Sequence, residues 1–313
     1  MQRSGSRSKY GAVRDVSHIP EITIHRQRLL ALAFVWALSL CPPAVAGEKL
    51  LLERKSPYNT ILVTEDDRGM RILRFEKDGA RQSVVKLGDP DHLELPYTRV
   101  IPVAFVFVEK PRDALVVGLG GGTIPGFLRK RFPDMRIDVV EIDPGVAEVA
   151  RSHFGFREDA RMHAYVDDGR RFIEQAGRLY DVIFLDAFGA DSVPYRLVTR
   201  EFLAGVSRAL TPRGVVIGNV WDRGSNPLYD SMVRTYRAVY DEVSTVDVPG
   251  ANNKIVVASP RKRPLSKAEL VRRARQLTRE LALRSDLGDI VERGFHRVGA
   301  DGASGRILTD AGG

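Results

Sequence analysis

The chain has 313 residues, of which 43% are hydrophobic, so it can bury a substantial core and form one main domain with a smaller appendage. Its formal net charge is +8, but residues 1–46 contribute +4 and residues 261–313 contribute +5, which leaves −1 for residues 47–260. A basic tail without interleaved aromatic residues is typical of a solvated helix face. We therefore expect no nucleic-acid partner.

The N-terminal 46 residues have the layout of a secretory signal peptide. Arg26 and Arg28 precede an uncharged apolar run over 29–40, and residues 41–46 supply a small-x-small cleavage site. The run is too short to span a bilayer, so we predict cleavage after Ala46, export to the periplasm or the medium, and no membrane span in the mature chain. If this interpretation is wrong, the protein is cytoplasmic.

Cleavage after Ala46 also removes Cys41, the one cysteine of the chain. This excludes disulfides, thiolate catalysis and cysteine metal sites from the mature protein. The six histidines show no metal-ligand spacing, so no metal site is predicted.

Residues 47–109 are predicted to form a small β-rich N-terminal domain, here called the leader. Short apolar segments alternate with turn signals at 66–69, 78–79 and 88–90. An antiparallel sheet is therefore expected.

The first unit of the next domain, residues 110–260, combines an apolar strand over 114–118 with a glycine-rich turn and a helix from about Ile124 to Arg131. Glycine lets a backbone approach a ligand closely, and a helix N-terminus presents free amides to it. The residues expected to bind a nucleoside are Gly118, Gly120, Gly121 and Gly122. The dinucleotide fingerprint G-x-G-x-x-G requires glycine at position 123, where this chain has Thr123. The run is similar instead to the first motif of proteins that bind S-adenosylmethionine or its decarboxylated form.

Three further apolar strands each end in acidic residues. These strands are predicted at 137–141, 162–166 and 181–186. Glu141 follows Gly122 by 19 residues, roughly the interval at which such folds place a carboxylate on the ribose hydroxyls. Asp167, Asp168 and Gly169 supply side-chain acids and a backbone amide for an adenine edge, and Asp186 ends the last of these strands. Carboxyl ends of parallel strands share one edge of a sheet, so these residues predict a nucleoside site.

The rest of the chain continues the α/β pattern. Helices are predicted at about 199–210, 227–240 and 266–283, a strand at 215–220 after a turn at 212–214, and a closing antiparallel pair at 243–248 and 254–259. Residues 261–313 form a basic helical C-terminal extension, whose Gly- and Ala-rich end is expected to be loose.

Over roughly 56–259 the chain resembles the polyamine aminopropyltransferases represented by spermidine synthase. The segment from Tyr58 to Val63 is similar to the family's Y-Q-x-I-x-V strand, with Asn59 in place of Gln. Asp78 and Gly79 with Gln82 are similar to its D-G-x-x-Q turn, and Tyr97 stands where its Y-[HQ]-E motif begins. An ordinary methyltransferase lacks this leader.

The resemblance implies a fold and a set of roles. The fold is a seven-stranded, mostly parallel Rossmann-like sheet of the class I methyltransferase type, preceded by the small antiparallel β domain. The glycine motif and Glu141 hold the donor, the acid–glycine pair holds adenine, and Asp186 is the base for the attacking amine. The positions expected to contact the acceptor are Asn59, Gln82, Tyr97 and Asp191. Decarboxylated or intact S-adenosylmethionine is a co-substrate, no cofactor is bound permanently, and the chain forms a homodimer.

Besides Asn59, three further positions depart from the family pattern. The acid that pairs with the donor's ammonium in G-G-G-D-G is Thr123, and the second acid of D-[SA]-x-D-P is Gly189, with Asp191 as a stand-in. The Glu of Y-[HQ]-E is Arg99. These changes remove acids and add a cation, so the sequence does not predict putrescine as the acceptor.

Three functional hypotheses follow from these observations. Aminopropyl transfer to a small-molecule amine is the leading one. Methyl transfer from intact S-adenosylmethionine is the alternative that the loss of an acid at Thr123 favours. The third is an exported, non-catalytic protein that binds a nucleoside or a polyamine.

Overall fold

The leader folds as a separate four-stranded antiparallel sheet, as predicted. The computed structural model describes residues 47–189, 193–261, 264–299 and 304–312, so the predicted signal peptide lies outside the described residues. The strands are β1 (Lys49–Lys55), β2 (Thr60–Glu65), β3 (Met70–Arg74) and β4 (Arg81–Lys86), paired in that order. The side chains of Ile61, Val63 and Leu73 are buried against Val146 and Val149 of a helix in the next domain. The leader is therefore fixed to the larger domain by apolar packing.

The larger sheet has eight strands in the order β12-β10-β11-β9-β8-β5-β6-β7. The strands are β5 (Asp113–Val117), β6 (Arg136–Glu141), β7 (Met162–Val166), β8 (Tyr180–Leu185), β9 (Leu210–Trp221), β10 (Glu242–Asp247), β11 (Asn253–Ser259) and β12 (Phe295–Arg297). Strands β7, β6, β5, β8 and β9 pair in parallel, whereas β9, β11, β10 and β12 pair antiparallel. The Rossmann-like prediction is confirmed, and β12 adds an eighth strand at the edge.

Helices cover both faces of this sheet. They are α1 (Ala104–Phe107), α2 (Thr123–Arg131), α3 (Pro144–His153), α4 (Gly169–Glu174), α5 (Arg200–Arg208), α6 (Tyr229–Val239), α7 (Lys267–Glu280) and α8 (Leu287–Gly294). Buried residues of α1, α2, α3, α7 and α8 pack on one face, and those of α4, α5 and α6 pack on the other. Within the described ranges, no helix is long and apolar enough to cross a membrane.

Several predicted elements lie where the structure has them, and five short elements were not predicted. Helices α5, α6 and α7 lie inside the predicted ranges, but β9 runs through the turn expected at 212–214. Helices α1, α3, α4 and α8 and strand β12 were not predicted. Each is ten residues or shorter, so few turns are available to reveal a hydrophobic period.

The expectation of a loose C-terminus is wrong for residues 304–312. Leu308 is 0% exposed and packs in the core beneath α5 and α6. Its N–H donates to Thr235 Oγ1 at 2.9 Å, and its carbonyl accepts from the Arg200 N–H at 2.8 Å. One buried leucine with both backbone groups paired thus fixes a segment whose composition is typical of a loop.

We expect Leu308→Ala to lower the free energy of unfolding by about 2–5 kcal/mol, the usual range for a buried leucine. Leu179→Ala, at a side chain that is 49% exposed, serves as the control and should change it by no more than about 0.5 kcal/mol. Urea unfolding of both variants measures the difference. Equal stability of the two would contradict the packing of the C-terminus.

Candidate active site

A cavity of about 260 Å³ lies where the carboxyl ends of β5, β6 and β8 meet the leader. The sheet reverses its strand order at β5, which opens a crevice at this edge. Leader residues in the wall are Tyr58, Asn59, Phe75, Gln82, Ser83 and Tyr97. Strand-end residues in the wall include Gly118, Gly120, Glu141, Asp168, Gly169 and Asp186. The fold therefore brings most of the predicted site residues around one space.

The glycine-rich turn is shaped by the protein's own packing. Gly118 has a φ of +101°, and a Cβ there would lie 2.4 Å from the Asp186 carbonyl oxygen. A Cβ on Gly121 would lie 2.8 Å from the Phe154 ring, and one on Gly122 would lie 2.9 Å from the Phe156 ring. Gly118 and Gly120 line the cavity, whereas Gly121 and Gly122 are not among its described lining residues. These last two positions let the turn pack tightly against the residues after α3.

Glu141 is held at the cavity wall by backbone amides. Its Oε2 accepts from the Leu119 N–H and its Oε1 from the Asp143 N–H, both at 3.0 Å. Burial raises the pKa of this carboxyl, and the amide hydrogen bonds oppose the rise. Each carboxylate oxygen has a further lone pair available, so Glu141 can still accept from a pair of ligand hydroxyls.

The two neighbouring aspartates after β7 have different surroundings. Asp168 caps α4, with Oδ1 accepting from the N–H groups of Arg170 and Arg171 at 3.0 and 3.1 Å, while Oδ2 forms an ion pair with Arg196. Both Asp168 and Arg196 line the cavity. The Asp167 side chain bonds to Arg171 and to the Asp168 N–H, and it is not among the described lining residues. Of the predicted pair, Asp168 is therefore the acid at the site.

Asp186 is fixed by two hydrogen bonds from opposite sides. The Tyr97 hydroxyl of the leader donates to Oδ2 at 3.0 Å, and Asn219 Nδ2 of β9 donates to Oδ1 at 2.8 Å. Asn253 Nδ2 of β11 in turn donates to Asn219 Oδ1 at 2.9 Å, which orients that amide. Burial raises the pKa of Asp186 to about 6, although both hydrogen bonds favour its ionised form. The same burial, with the neighbouring carboxylate, raises the pKa of Tyr97 well above its usual value, so Tyr97 stays a donor.

Two further residues predicted to contact the acceptor, Asn59 and Gln82, lie at the cavity. Gln82 lines the cavity, as does Asn59, whose Nδ2 donates to Asp143 Oδ2 at 3.1 Å. Thr123 also reaches the wall, with its hydroxyl 3.1 Å from Ser83 Oγ. Asp191 lies outside the described residues.

Sequence reasoning missed Asn219, Arg196 and Phe188. Asn219 is 4% exposed and is the one strongly polar residue between Val215 and Val220, a signal that was available in the sequence. Phe188 and Arg196 line the cavity from the connection after β8, where no local pattern indicates which side chains turn inward.

A larger cleft of about 1070 Å³ lies at the opposite edge, near the amino ends of β5 and β6. Its arginines are largely neutralised: Arg136 pairs with Asp113 at 2.8 Å, and Arg273 pairs with Glu269 at 2.7 Å. Ligands of open α/β sheets bind at the carboxyl ends of the strands. The smaller cavity is therefore the candidate active site.

We expect Asn219→Ala to raise the pKa of Asp186 above about 6, because the variant loses an amide donor that favours the carboxylate. Carboxyl carbon shifts of Asp186, followed by NMR during a pH titration, measure the change. Asn252→Ala, at an exposed position before β11, is the control and should leave the pKa of Asp186 in place. An unchanged pKa in Asn219→Ala would contradict the assigned hydrogen bond.

Comparison with known proteins identifies relatives along most of the chain. Residues 94–244 match the family model of the spermine/spermidine synthase domain. The polyamine aminopropyltransferase of Vibrio vulnificus (strain CMCP6) is 33% identical over 237 residues, which cover 74% of this chain and 78% of that protein.

Two solved structures resemble the model. Spermidine synthase from Thermotoga maritima has a TM-score of 0.62 at 20% identity, covering 79% of this chain and 84% of that one, which supports the fold. Human methyltransferase-like protein 13, solved in complex with SAH, has a TM-score of 0.55 at 32% identity, covering 60% of this chain and 93% of that one. The Vibrio relative is 33% identical to this chain over 78% of its own length, so this chain belongs to the polyamine aminopropyltransferase family.

Proposed function

We propose that this protein transfers an aminopropyl group from decarboxylated S-adenosylmethionine to an amine acceptor. The observation that carries the proposal is the Asp186 carboxylate, which is partly buried at the cavity, hydrogen-bonded to Tyr97 and Asn219, and has a pKa raised to about 6. A base with a raised pKa and a fixed orientation is suited to taking a proton from an attacking amine.

The donor's nucleoside fits the end of the cavity formed by β5, β6 and α4. Glu141 supplies carboxylate oxygens for the ribose hydroxyls, and Asp168 with the Gly169 amide supplies partners for adenine. Ile142, which lines the cavity and is 37% exposed, offers an apolar surface beside them. In this proposed binding mode, the sulfonium side of the donor faces Asp186.

The transfer is a substitution at the carbon next to the sulfonium. The amine nitrogen gives its lone pair to that carbon as the carbon–sulfur bond breaks, and the bonding electrons return to sulfur, which leaves as a neutral thioether nucleoside. The proton lost by the amine passes to Asp186. Amines of this kind have pKa values near 10, so most are protonated at neutral pH and a positioned base accelerates the reaction.

The residues around Asp186 do not specify which amine is the acceptor. A diamine such as putrescine needs an anionic partner for its second ammonium, yet Gly189 and Arg99 stand where the family pattern has acids. Phe188 lines the cavity with its ring 6.1 Å from that of Trp221. A panel of diamines and monoamines, assayed with one donor, tests which class is accepted.

A second candidate is methyl transfer from intact S-adenosylmethionine. Thr123 leaves no acid for a donor ammonium at its position, and this loss favours methyl transfer. The relative solved with SAH is similar to this chain at 32% identity. Mass spectrometry of the acceptor after reaction distinguishes an added aminopropyl group from an added methyl group.

Asp186→Asn should abolish turnover while leaving nucleoside affinity within about twofold, since the amide keeps the shape of the carboxylate but cannot accept the proton. Initial rates and calorimetric titration measure the two effects. Asp241→Asn, at an exposed residue, is the matched control and should keep full activity. Retained turnover in Asp186→Asn would refute its role as the base, and an unaltered chain that binds nucleoside without turnover would support the non-catalytic hypothesis.

The rate should also depend on pH through Asp186. Its pKa of about 6 means that the carboxylate form is lost as the pH falls through 6, so kcat/KM should drop about tenfold for each unit below that value. Tyr97→Phe removes a hydrogen bond to the carboxylate and should move this acidic limb to higher pH. A pH profile that is flat between 5 and 7 would contradict the assignment.

We also propose that residues 1–46 direct export and that the mature chain forms a homodimer. The support for export is the sequence pattern of the N-terminal segment, and the support for a dimer is the family resemblance. The mass of the protein recovered from a periplasmic fraction tests cleavage after Ala46. Sedimentation equilibrium tests the dimer.

A further inference from the structure

The last described segment, residues 304–312, contacts α4, α5 and α6 and is here called the C-terminal strap. Besides the buried Leu308, it is held by Arg234, which donates to the Gly305 carbonyl at 2.9 Å, and by Ser231, whose hydroxyl accepts from the Arg306 N–H at 3.2 Å. The strap is therefore an ordered part of the domain rather than a free tail.

One end of the strap forms an ion pair with α4, the helix that follows Asp168. Asp310 accepts two hydrogen bonds from the Arg170 guanidinium, at 2.8 and 2.6 Å, and this pairing lowers the pKa of Asp310 to about 2. Bidentate pairs of this kind fix geometry as well as charge. Arg170 also donates its own N–H to Asp168 Oδ1, so the strap contacts the residue next to the nucleoside end of the cavity.

The strap also contacts the 3-10 turn Tyr195–Leu197, which lies after β8. The Tyr195 hydroxyl donates to the Thr309 carbonyl at 3.2 Å. The next residue, Arg196, lines the cavity and forms the ion pair with Asp168. The strap therefore connects α4 with the 195–197 turn. The Arg196–Asp168 pair connects the same turn with the start of α4 at the cavity wall.

We propose that the C-terminal strap positions the Arg196–Asp168 pair and thereby sets the affinity of the cavity for its nucleoside, with Asp310 as a positioning residue. The inference rests on the proposed function in one respect, namely that the cavity binds an S-adenosyl-type nucleoside. When the Asp310–Arg170 link is lost, α4 and the 195–197 turn are no longer tied through the strap. The Asp168 carboxylate then spends less time in the orientation that meets a ligand.

Calorimetric titration of the full chain with methylthioadenosine, the nucleoside product of aminopropyl transfer, tests the proposal. We expect Asp310→Asn and Arg170→Gln each to raise Kd about three- to fivefold, as for loss of one partly exposed ion pair. The double variant should match the single ones, because both act through the same link. Tyr195→Phe, which releases the other contact of the strap, should raise Kd in the same direction.

Asp289→Asn is the matched control, since it breaks the exposed Arg293–Asp289 pair on α8 and should leave Kd unchanged. Melting temperatures are measured beside Kd, because a merely structural role for Asp310 lowers the melting temperature without changing nucleoside affinity. An unchanged Kd in Asp310→Asn, with binding by the unaltered chain intact, overturns the role of the strap alone. Failure of the unaltered chain to bind methylthioadenosine overturns both this inference and the proposed function.

Discussion

The candidate site depends on one partly buried carboxylate that the leader and the main sheet both hold in place. Asp186 receives the Tyr97 hydroxyl from the leader and the Asn219 amide from the main sheet. A buried carboxylate is costly unless hydrogen bonds compensate for the lost water, and two neutral donors compensate without neutralising its charge. The result is an anion of defined orientation whose pKa, about 6, lies above that of an ordinary aspartate. The leader therefore lines the candidate active site and also helps to orient Asp186 through Tyr97.

Packing against the leader also explains the glycine-rich turn. A Cβ at Gly121 would lie 2.9 Å from Ser83 Oγ of β4, and a Cβ at Gly118 would lie 2.4 Å from the Asp186 carbonyl. The turn is thus confined between the leader and the end of β8, and bulkier residues would separate the two walls of the cavity. Tight packing within the protein and close approach to a nucleoside both require glycine at these positions.

Local sequence patterns predicted the leader, the glycine-rich turn and the acids at the strand ends. Short apolar segments between turn signals indicated the leader, the glycine turn indicated the first nucleoside-binding loop, and the strand-end acids Glu141, Asp168 and Asp186 were correctly expected at one edge of the sheet. The pairings that complete the site are long-range: Arg170 and Asp310 are 140 residues apart, and Asn219 and Asp186 are 33 apart. No periodicity connects such positions. The loose C-terminus was wrong for the same reason, because its order depends on Arg170 and Thr235 rather than on its own composition.

The central claim is that the cavity is built for a decarboxylated S-adenosyl donor with Asp186 beside the reacting carbon. The most direct measurement is a pair of calorimetric titrations of residues 47–313, one with decarboxylated and one with intact S-adenosylmethionine. Aminopropyl transfer predicts tighter binding of the decarboxylated compound, despite the loss of an acid at Thr123. Tighter binding of the intact compound would contradict aminopropyl transfer and favour methyl transfer.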